Sequence, residues 1–236
     1  MRQRVRKLLR PLRPLKKPAT RVLKPMRWGD LRRTEPKSRG FSRRGVPVDR
    51  VYIEGFLRGH ATDIRGTTLE VASDAYVRRF GGRGVVRSEV VSIEQTPGVT
   101  IVGDITDART LPAETFDCIV FTQTLQFIYD VNAALRTLVA ALKTGGVLLM
   151  TVPAISQISG YDETLTGDYW RFTYRSVERL LKDHFGGGSV DVRSYGNVLA
   201  AVAFLHNVAR QELKPAELKV HDPQYPLIIA ARAVKS

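Results

Sequence analysis

Residues 116–153 read FDCIVFTQTLQFIYDVNAALRTLVAALKTGGVLLMTVP, and this stretch decides the fold. Two apolar runs, Phe116–Thr122 and Val147–Val152, have the length and composition of buried strands. Between them, Val131–Leu142 repeats apolar side chains at the i, i+3, i+4, i+7 spacing of an amphipathic helix. A strand, a helix and a second strand in that order form a crossover between parallel strands. We therefore predict an α/β domain built on a mostly parallel sheet.

The same alternation of strands and helices continues on both sides of this unit. The predicted strands are Thr67–Ala72, Ser88–Ile93, Thr100–Val102, Phe116–Thr122, Val147–Val152, Val190–Arg193 and Leu227–Val234, and the predicted helices are Pro47–His60, Asp74–Phe80, Val131–Leu142, Arg175–Phe185 and Asn197–Arg210. Strands joined by helical crossovers are covered by helices on both faces. The pattern predicts a seven-stranded sheet of this kind.

The first 45 residues differ from the rest of the chain in charge. They hold 17 of the 37 Lys and Arg residues but only two of the 23 acids, so residues 46–236 are nearly neutral. Four prolines between Pro11 and Pro25 interrupt any long helix. We predict a basic, poorly or conditionally ordered arm over residues 1–45 and one domain over residues 46–236. In one interpretation, residues 1–45 form a solvated or docked arm that binds no ligand. In another, the arm binds an anionic membrane surface. Membrane binding is favoured over RNA binding, because the arm has almost no aromatic residues for base stacking.

Composition and single motifs exclude several classes of protein. One cysteine, Cys118, excludes an internal disulfide framework, and no apolar run approaches the roughly 20 residues that span a bilayer. The N-terminus lacks an apolar leader, so we expect a cytoplasmic protein, with peripheral membrane contact as an option. No His, Asp and Glu residues cluster at metal-ligand spacing, so we expect no metal. No phosphate-binding glycine loop occurs either.

Acidic residues follow three successive predicted strands. In an open α/β sheet, ligands bind beyond the carboxyl ends of the strands, where the strand order changes direction. Glu70 lies at the end of the first strand, Glu94 follows the second, and Asp104 follows the third. We therefore expect a ligand with several hydrogen-bond donors along this edge of the sheet.

At these positions the chain resembles a known family. Leu69–Val71, Gly103–Ile105, FDCIV at 116–120 and LKTGGVLL at 142–149 are similar to class I S-adenosylmethionine (SAM)-dependent methyltransferases of the "methyltransferase domain 11" type, which act on small molecules. The loop GDYWRFT at 167–173 further resembles a subgroup encoded beside glycosyltransferases. The resemblance covers residues 46–236 and implies a Rossmann-like fold with SAM as cofactor.

The resemblance also implies roles for the strand-end residues. Glu94 would accept both ribose hydroxyls, Asp104 would accept the adenine amino group, and Glu70 would face the ammonium of the methionine tail. The family's first loop reads acid-x-Gly-x-Gly-x-Gly, but all three glycine positions differ here. We expect the loop still to serve, because SAM carries no phosphate and brings positive charge. The predicted cofactor-binding residues are Glu70, Ala72, Asp74, Tyr76, Glu94, Asp104, Ile105, Thr122 and Gln123.

The reaction expected is O-methylation of a sugar or another small-molecule or natural-product acceptor. A general base helps to remove the proton of a hydroxyl acceptor. We predict that Asp168 is this base, with His206 as the second candidate. The acceptor pocket is expected from 46–60 and 153–173, with contacts from Tyr161, Tyr169, Trp170 and Arg171. Two alternatives stay open: an RNA methyltransferase that uses the basic arm, and a non-catalytic protein with the same fold. Enzymes that methylate amino groups carry an Asn/Asp-Pro-Pro-aromatic tetrad, and the segment Thr122–Leu125 does not match it. This mismatch weakens the RNA methyltransferase alternative.

Overall fold

A computed structural model describes residue 29, residues 32–39 and residues 45–236, apart from the side chain of Tyr161. The chain divides into two units, Met1–Thr34 and Glu35–Ser236. Most of the predicted basic arm lies outside the described residues, and the second unit carries the sheet. No helix in the described part of the chain is long and apolar enough to cross a bilayer.

The sheet of the second unit has the strand order β3-β2-β1-β4-β5-β7-β6. Its strands are β1 (Gly66–Val71), β2 (Val85–Ser92), β3 (Ile101–Val102), β4 (Phe116–Thr122), β5 (Leu142–Pro153), β6 (Val190–Tyr195) and β7 (Ile228–Val234), and its helices are α1 (Asp49–Gly59), α2 (Ala75–Phe80), α3 (Val131–Ala141), α4 (Gly160–Leu165), α5 (Tyr174–Phe185), α6 (Val198–Leu205) and α7 (Pro215–Lys219). The five strands β1–β5 pair in parallel, whereas β7 runs antiparallel to β5 and β6. The predicted seven-stranded, mostly parallel α/β sheet is confirmed.

The middle of β4 is buried on both faces, which explains the continuous apolar run from Cys118 to Phe121. In β4, Ile119 and Phe121 join one core cluster with α3 and α5, while Cys118 and Val120 join a second cluster with α1. All four side chains are fully buried. Successive side chains of a strand point to opposite faces, so a strand covered on both sides needs apolar residues at every position. The β4-α3-β5 unit therefore matches its sequence prediction closely.

Local backbone geometry accounts for the differences from the predicted elements. The helix predicted over Asn197–Arg210 ends at Leu205, because Asn207 adopts a left-handed φ of 51°. The strand predicted from Val147 begins at Leu142, which pairs with Phe116 across an irregularity in the ladder. The short helices α4 and α7 were not predicted; each has only five or six residues, too few to show a helical period.

The strand order changes direction between β1 and β4, and this switch point positions the functional cleft. Chain connections leave β1 towards β2 and leave β4 towards β5, in opposite directions along the sheet. The loops after these two strands therefore diverge, and a crevice opens between them. The carboxyl ends of β1 and β4 form its floor.

Candidate active site

Two adjoining cavities form one cleft along the carboxyl ends of the strands. The central cavity, of about 490 Å³, lies over β1, β4 and β5 and reaches the first turn of α1. The edge cavity, of about 620 Å³, lies over β2 and β3. Both cavities are lined by Val71, Ala72, Thr124, Phe127 and Asp162. Each cavity has the size of a small-molecule site.

Glu70 organises the turn between β1 and α2. Its side chain is 3% exposed and lines the central cavity. One carboxylate oxygen accepts the backbone N–H of Val77 at 2.8 Å, and the other accepts that of Tyr76 at 3.2 Å. Glu70 thus caps the start of α2, a position where helices favour an acid. Burial raises the pKa of Glu70 to about 7, although these two hydrogen bonds lower it.

Ala72 stands at the first glycine position of the family loop and adopts the backbone that glycine would supply. Its φ is 63°, in the left-handed region that costs most residues about 1–2 kcal/mol. Its N–H donates to the Val91 carbonyl of β2 at 2.9 Å, which ties the turn to the sheet. The turn therefore keeps its shape without glycine, at the cost of backbone strain.

The other two glycine positions leave the cleft open. Asp74 forms an ion pair with Arg78 at 2.6 Å. In the described part of the chain it lines neither cavity. Tyr76 lines the central cavity, and its ring stacks on Phe80. Its hydroxyl accepts a hydrogen bond from Arg50 Nη1. Neither side chain fills the cleft, so the residues at the three altered positions are compatible with a bound nucleoside.

The edge cavity holds part of the predicted cofactor set. Asp104 and the buried Ile105 line it, whereas Thr122 and Gln123 line the central cavity. Asp104 Oδ1 accepts the Thr106 N–H at 2.8 Å. Glu94 is exposed in a bend after β2 and borders neither cavity among the described residues. The structure thus brings Asp104 to the edge cavity but does not bring Glu94 there.

The predicted acceptor contacts separate into two groups. Arg171 lines the central cavity, and Tyr169 lines the edge cavity, where its ring meets Tyr129 edge-on at 5.4 Å. Trp170 lies outside both cavities of the described chain: its indole N–H donates to the Ile128 carbonyl at 3.1 Å, and its ring stacks on Tyr129. Trp170 therefore anchors the loop. The side chain of Tyr161 lies outside the described residues.

The two predicted bases are poorly placed to accept a proton. Asp168 lines the central cavity, but Arg171 donates to its two oxygens at 2.6 and 2.9 Å, and the Ser159 N–H donates at 2.9 Å. Burial alone would raise the pKa of Asp168, but these hydrogen bonds and the charge of Arg171 hold it below its ordinary value. His206 lies at the end of α6 and lines neither cavity of the described chain. The base role stays a prediction for both, and this geometry argues against it.

Three residues that line the central cavity each hold a buried side-chain oxygen with no hydrogen-bond partner in the described part of the chain: Gln126 Oε1, Ser156 Oγ and Gln157 Oε1. The amide orientations are fixed, because Gln126 Nε2 donates to the Gln123 carbonyl at 2.9 Å and Gln157 Nε2 donates to Asn207 Oδ1 at 3.2 Å. Gln126 is only 5% exposed. Buried polar atoms are nearly always paired, so these three oxygens mark a wall of the cavity where hydrogen bonds are left unmade.

Sequence reasoning missed three charged residues of the cleft. Asp49 and Arg50, from the first turn of α1, line the central cavity, and Asp162 borders both cavities. Burial raises the pKa of Asp49. The segment 46–60 was expected to contribute to the acceptor pocket, but no local pattern singled out these side chains. Gln126 and Gln157 follow β4 and β5, and their strand-end positions were the available signal.

Replacing Ala72 with glycine should stabilise the protein. Ala72→Gly relieves the left-handed strain, and after the added chain entropy of glycine the free energy of unfolding should rise by up to about 1 kcal/mol. Urea denaturation measures this change. The matched control is Ala75→Gly in α2, which should lower the free energy of unfolding by about 0.5–1 kcal/mol. Equal losses in both variants would contradict the strain at Ala72.

Glu70→Gln should change how stability depends on pH. The folded state binds the Glu70 proton more tightly than the unfolded state, because the pKa rises from 4.5 to about 7 on folding. This carboxyl therefore contributes most to stability below pH 4.5, and its contribution falls as pH rises towards 7. The variant should gain stability relative to the native chain across that interval, as measured by denaturation at several pH values. Exposed Glu94→Gln is the control, and parallel curves for Glu70→Gln and the native chain would refute the raised pKa.

Known structures share this architecture. A SAM-dependent methyltransferase from Archaeoglobus fulgidus superimposes with a TM-score of 0.52 at 11% identity, over 79% of this chain and 94% of the other. One from Mesorhizobium loti gives 0.53 at 15% identity, over 80% and 98%. The 1,6-didemethyltoxoflavin-N1-methyltransferase of Burkholderia thailandensis, solved with its substrate and S-adenosylhomocysteine, gives 0.51 at 13% identity, over 78% and 77%. These likenesses establish the class I methyltransferase fold.

A family model adds information on the chemistry. Residues 54–150 match the model of a methyltransferase domain, Methyltransf_11, while no curated protein sequence matches the chain. The matched region runs from α1 to β5 and includes the Glu70–Tyr76 turn, Asp104 and the floor of the cleft. The match over residues 54–150 and the shared class I sheet thus support a SAM-dependent methyltransferase.

Proposed function

We propose that this methyltransferase methylates a hydroxyl oxygen of a small, polar acceptor, such as a sugar or a hydroxylated natural product, in the central cavity. The observation that supports this most directly is the cluster of Gln126 Oε1, Ser156 Oγ and Gln157 Oε1, buried without partners. Carbonyl oxygens of glutamine only accept hydrogen bonds, so they select a ligand with several donors. The resemblance of GDYWRFT at 167–173 to enzymes encoded beside glycosyltransferases favours a glycan.

The central cavity provides neutral polar groups on its acceptor side. Arg171 and Asp168 neutralise each other there, and Arg171 also donates to the carbonyls of Ser156 and Gln157 at 3.3 and 2.5 Å. A phosphorylated or strongly anionic acceptor would need an unpaired cation at this position. The wall beside Gln126 and Gln157 therefore suits a neutral, hydroxyl-bearing group.

Bound SAM supplies a methyl group already activated by its sulfonium, so the protein mainly positions the acceptor and excludes water. Removal of the hydroxyl proton needs a carboxylate near the junction of the two cavities. Asp162 borders both cavities, and only the Ser159 hydroxyl, at 2.5 Å from Oδ2, donates to its carboxylate in the described structure. We assign the base role to Asp162 rather than to Asp168.

The proposal predicts which atom receives the methyl group. Incubation with isotopically labelled SAM and a panel of sugars, nucleotide sugars and phenols should label hydroxyl-bearing acceptors, and mass spectrometry should locate the methyl group on oxygen. Gln126→Met, which loses one buried acceptor, should raise the acceptor KM about 3- to 10-fold. Asp162→Asn should lower kcat about 100-fold or more, with unchanged binding of S-adenosylhomocysteine.

Gln95→Met is the matched control, because Gln95 is exposed and lies outside both cavities of the described chain. A methyl group found on nitrogen, or labelling of RNA in place of small acceptors, would overturn the assignment. So would binding of S-adenosylhomocysteine without turnover of any hydroxyl compound in the panel.

We also propose that the basic arm recruits the enzyme to an anionic membrane surface. Residues 1–45 carry all of the excess positive charge, with aliphatic residues among the cations. The segment 35–39 is tied to the cleft: the Ser38 carbonyl accepts from Asn207, which in turn accepts from Gln157 of the central cavity. Residues at the C-terminal end of the predicted arm thus contact Asn207 beside the central cavity, which supports the proposal of an acceptor held at a membrane.

Vesicle flotation tests the membrane proposal. The full chain should bind phosphatidylglycerol vesicles but not phosphatidylcholine vesicles, and binding should weaken with salt. Replacing Arg2, Arg4, Arg6 and Lys7 with glutamine removes about 4 kcal/mol, at about 1 kcal/mol per cation, and should reduce binding on the order of 1000-fold. Glutamine at the exposed Arg175, Arg193, Arg210 and Lys219 removes the same charge from the domain and should have little effect. Salt-dependent RNA binding without vesicle binding would favour the RNA alternative.

A further inference from the structure

A third cavity, the α7 cavity, lies outside the cleft between α1, the end of β6 and α7. Its volume is about 770 Å³, which is within the range of small-molecule sites. In the described chain it shares no lining residue with the central or the edge cavity. Helix α1 contributes to both sites, because Asp49 and Arg50 line the central cavity while Val51 and Tyr52 line the α7 cavity. The α7 cavity is therefore a candidate for a second ligand.

Tyr52 brings a buried hydroxyl to this cavity. The residue lines the cavity and is 7% exposed, and its hydroxyl oxygen is buried with no hydrogen-bond partner in the described part of the chain. Burial raises the pKa of Tyr52 to about 12, so the hydroxyl keeps its proton at neutral pH and can donate it. A buried donor that is left unpaired is destabilising. The position therefore favours a ligand that brings a hydrogen-bond acceptor.

The rest of the lining combines apolar side chains with positive charge. Val51, Leu213 and Leu218 supply apolar surface, and the cations Arg210 and Lys219 border the same cavity. The lining described here contains no acid. Apolar walls with two cations and a neutral donor match an amphipathic anion, because its aliphatic part leaves water while its charge meets a guanidinium and an ammonium.

A free small molecule suits this site better than a flat membrane surface. The Tyr52 hydroxyl is buried, so a group that pairs with it must enter the cavity. A carboxylate offers two acceptor oxygens and a single negative charge in a compact group. An aliphatic chain attached to it would cover the apolar walls.

We propose that the α7 cavity binds an aliphatic carboxylate, which accepts a hydrogen bond from Tyr52 and lies near the charges of Arg210 and Lys219. This second site takes a ligand that is neither SAM nor the methyl acceptor. It does not depend on the acceptor assigned to the cleft, so either proposal can fail without the other.

Three probes with the same ten-carbon chain test this chemistry. Calorimetry on the full chain should show that decanoate binds at one site and that 1-decanol, which lacks the charge, binds at least about 10-fold more weakly. Decyltrimethylammonium, with the opposite charge, should not bind. Saturating S-adenosylhomocysteine should leave the decanoate affinity unchanged, because the α7 cavity lies outside the cleft.

Tyr52→Phe should weaken decanoate binding about 10-fold or more, since it removes the donor to a charged acceptor. It should not lower the thermal midpoint of the unliganded chain, because the hydroxyl has no partner to lose. Tyr225→Phe is the matched control: this tyrosine is 44% exposed and lies outside the described lining of the cavity.

Arg210→Gln provides a second variant at an exposed position, where folding is not at risk. It should weaken decanoate about 3- to 10-fold and leave 1-decanol unchanged, whereas Arg83→Gln, exposed and outside the described lining, should change neither. Absence of decanoate binding, or unchanged decanoate affinity in Tyr52→Phe or Arg210→Gln, would overturn the proposal. Equal affinity for decanoate and 1-decanol, or displacement of decanoate by S-adenosylhomocysteine, would overturn it as well.

Discussion

The turn that follows β1 is the constraint on which the cleft depends. The chain must leave the strand at the floor of the crevice, reverse and start a helix without filling the space above. Glu70 makes this possible, because its buried carboxylate takes the N–H groups of Tyr76 and Val77, six and seven residues ahead. To bring those groups within reach, Ala72 must adopt a left-handed φ of 63°. The position of Tyr76, and through it that of Arg50, follows from this one arrangement.

Without the glycines, the turn after β1 uses several of its backbone N–H groups for its own hydrogen bonds. A glycine turn offers N–H groups and room for close approach, whereas this turn engages its N–H groups internally. The cavity wall then takes its charge from Arg50 and Glu70, which belong to different elements.

The fold could be predicted from the sequence where burial of a strand or helix imposes a regular pattern of apolar residues. The β4-α3-β5 unit was predicted within a few residues, since strands covered on both faces read as continuous apolar runs. At the site, Asp104 lies where a strand-end acid should, but Glu94 does not, because β2 ends at Ser92 and the chain then bends into solvent. Arg50 could not be predicted, because its contact with Tyr76 spans 26 residues and depends on how α1 packs. The unpaired oxygens are invisible in a sequence, since they emerge only from a complete account of hydrogen bonds.

The loop after β5 contains an ion pair whose charges are satisfied within the loop. Asp168 and Arg171 pair with each other and with the loop backbone, so their charges act on residues 156–159 rather than on a ligand. This pairing holds Ser156 and Gln157 with their side-chain oxygens unpartnered. Asp49, Arg50 and Glu70 line the cavity beside β1 and α1, while the uncharged side chains of Ser156 and Gln157 line it after β5. The side of the cleft beside β1 and α1 thus carries charged side chains, whereas the charges beside β5 are neutralised within the loop itself.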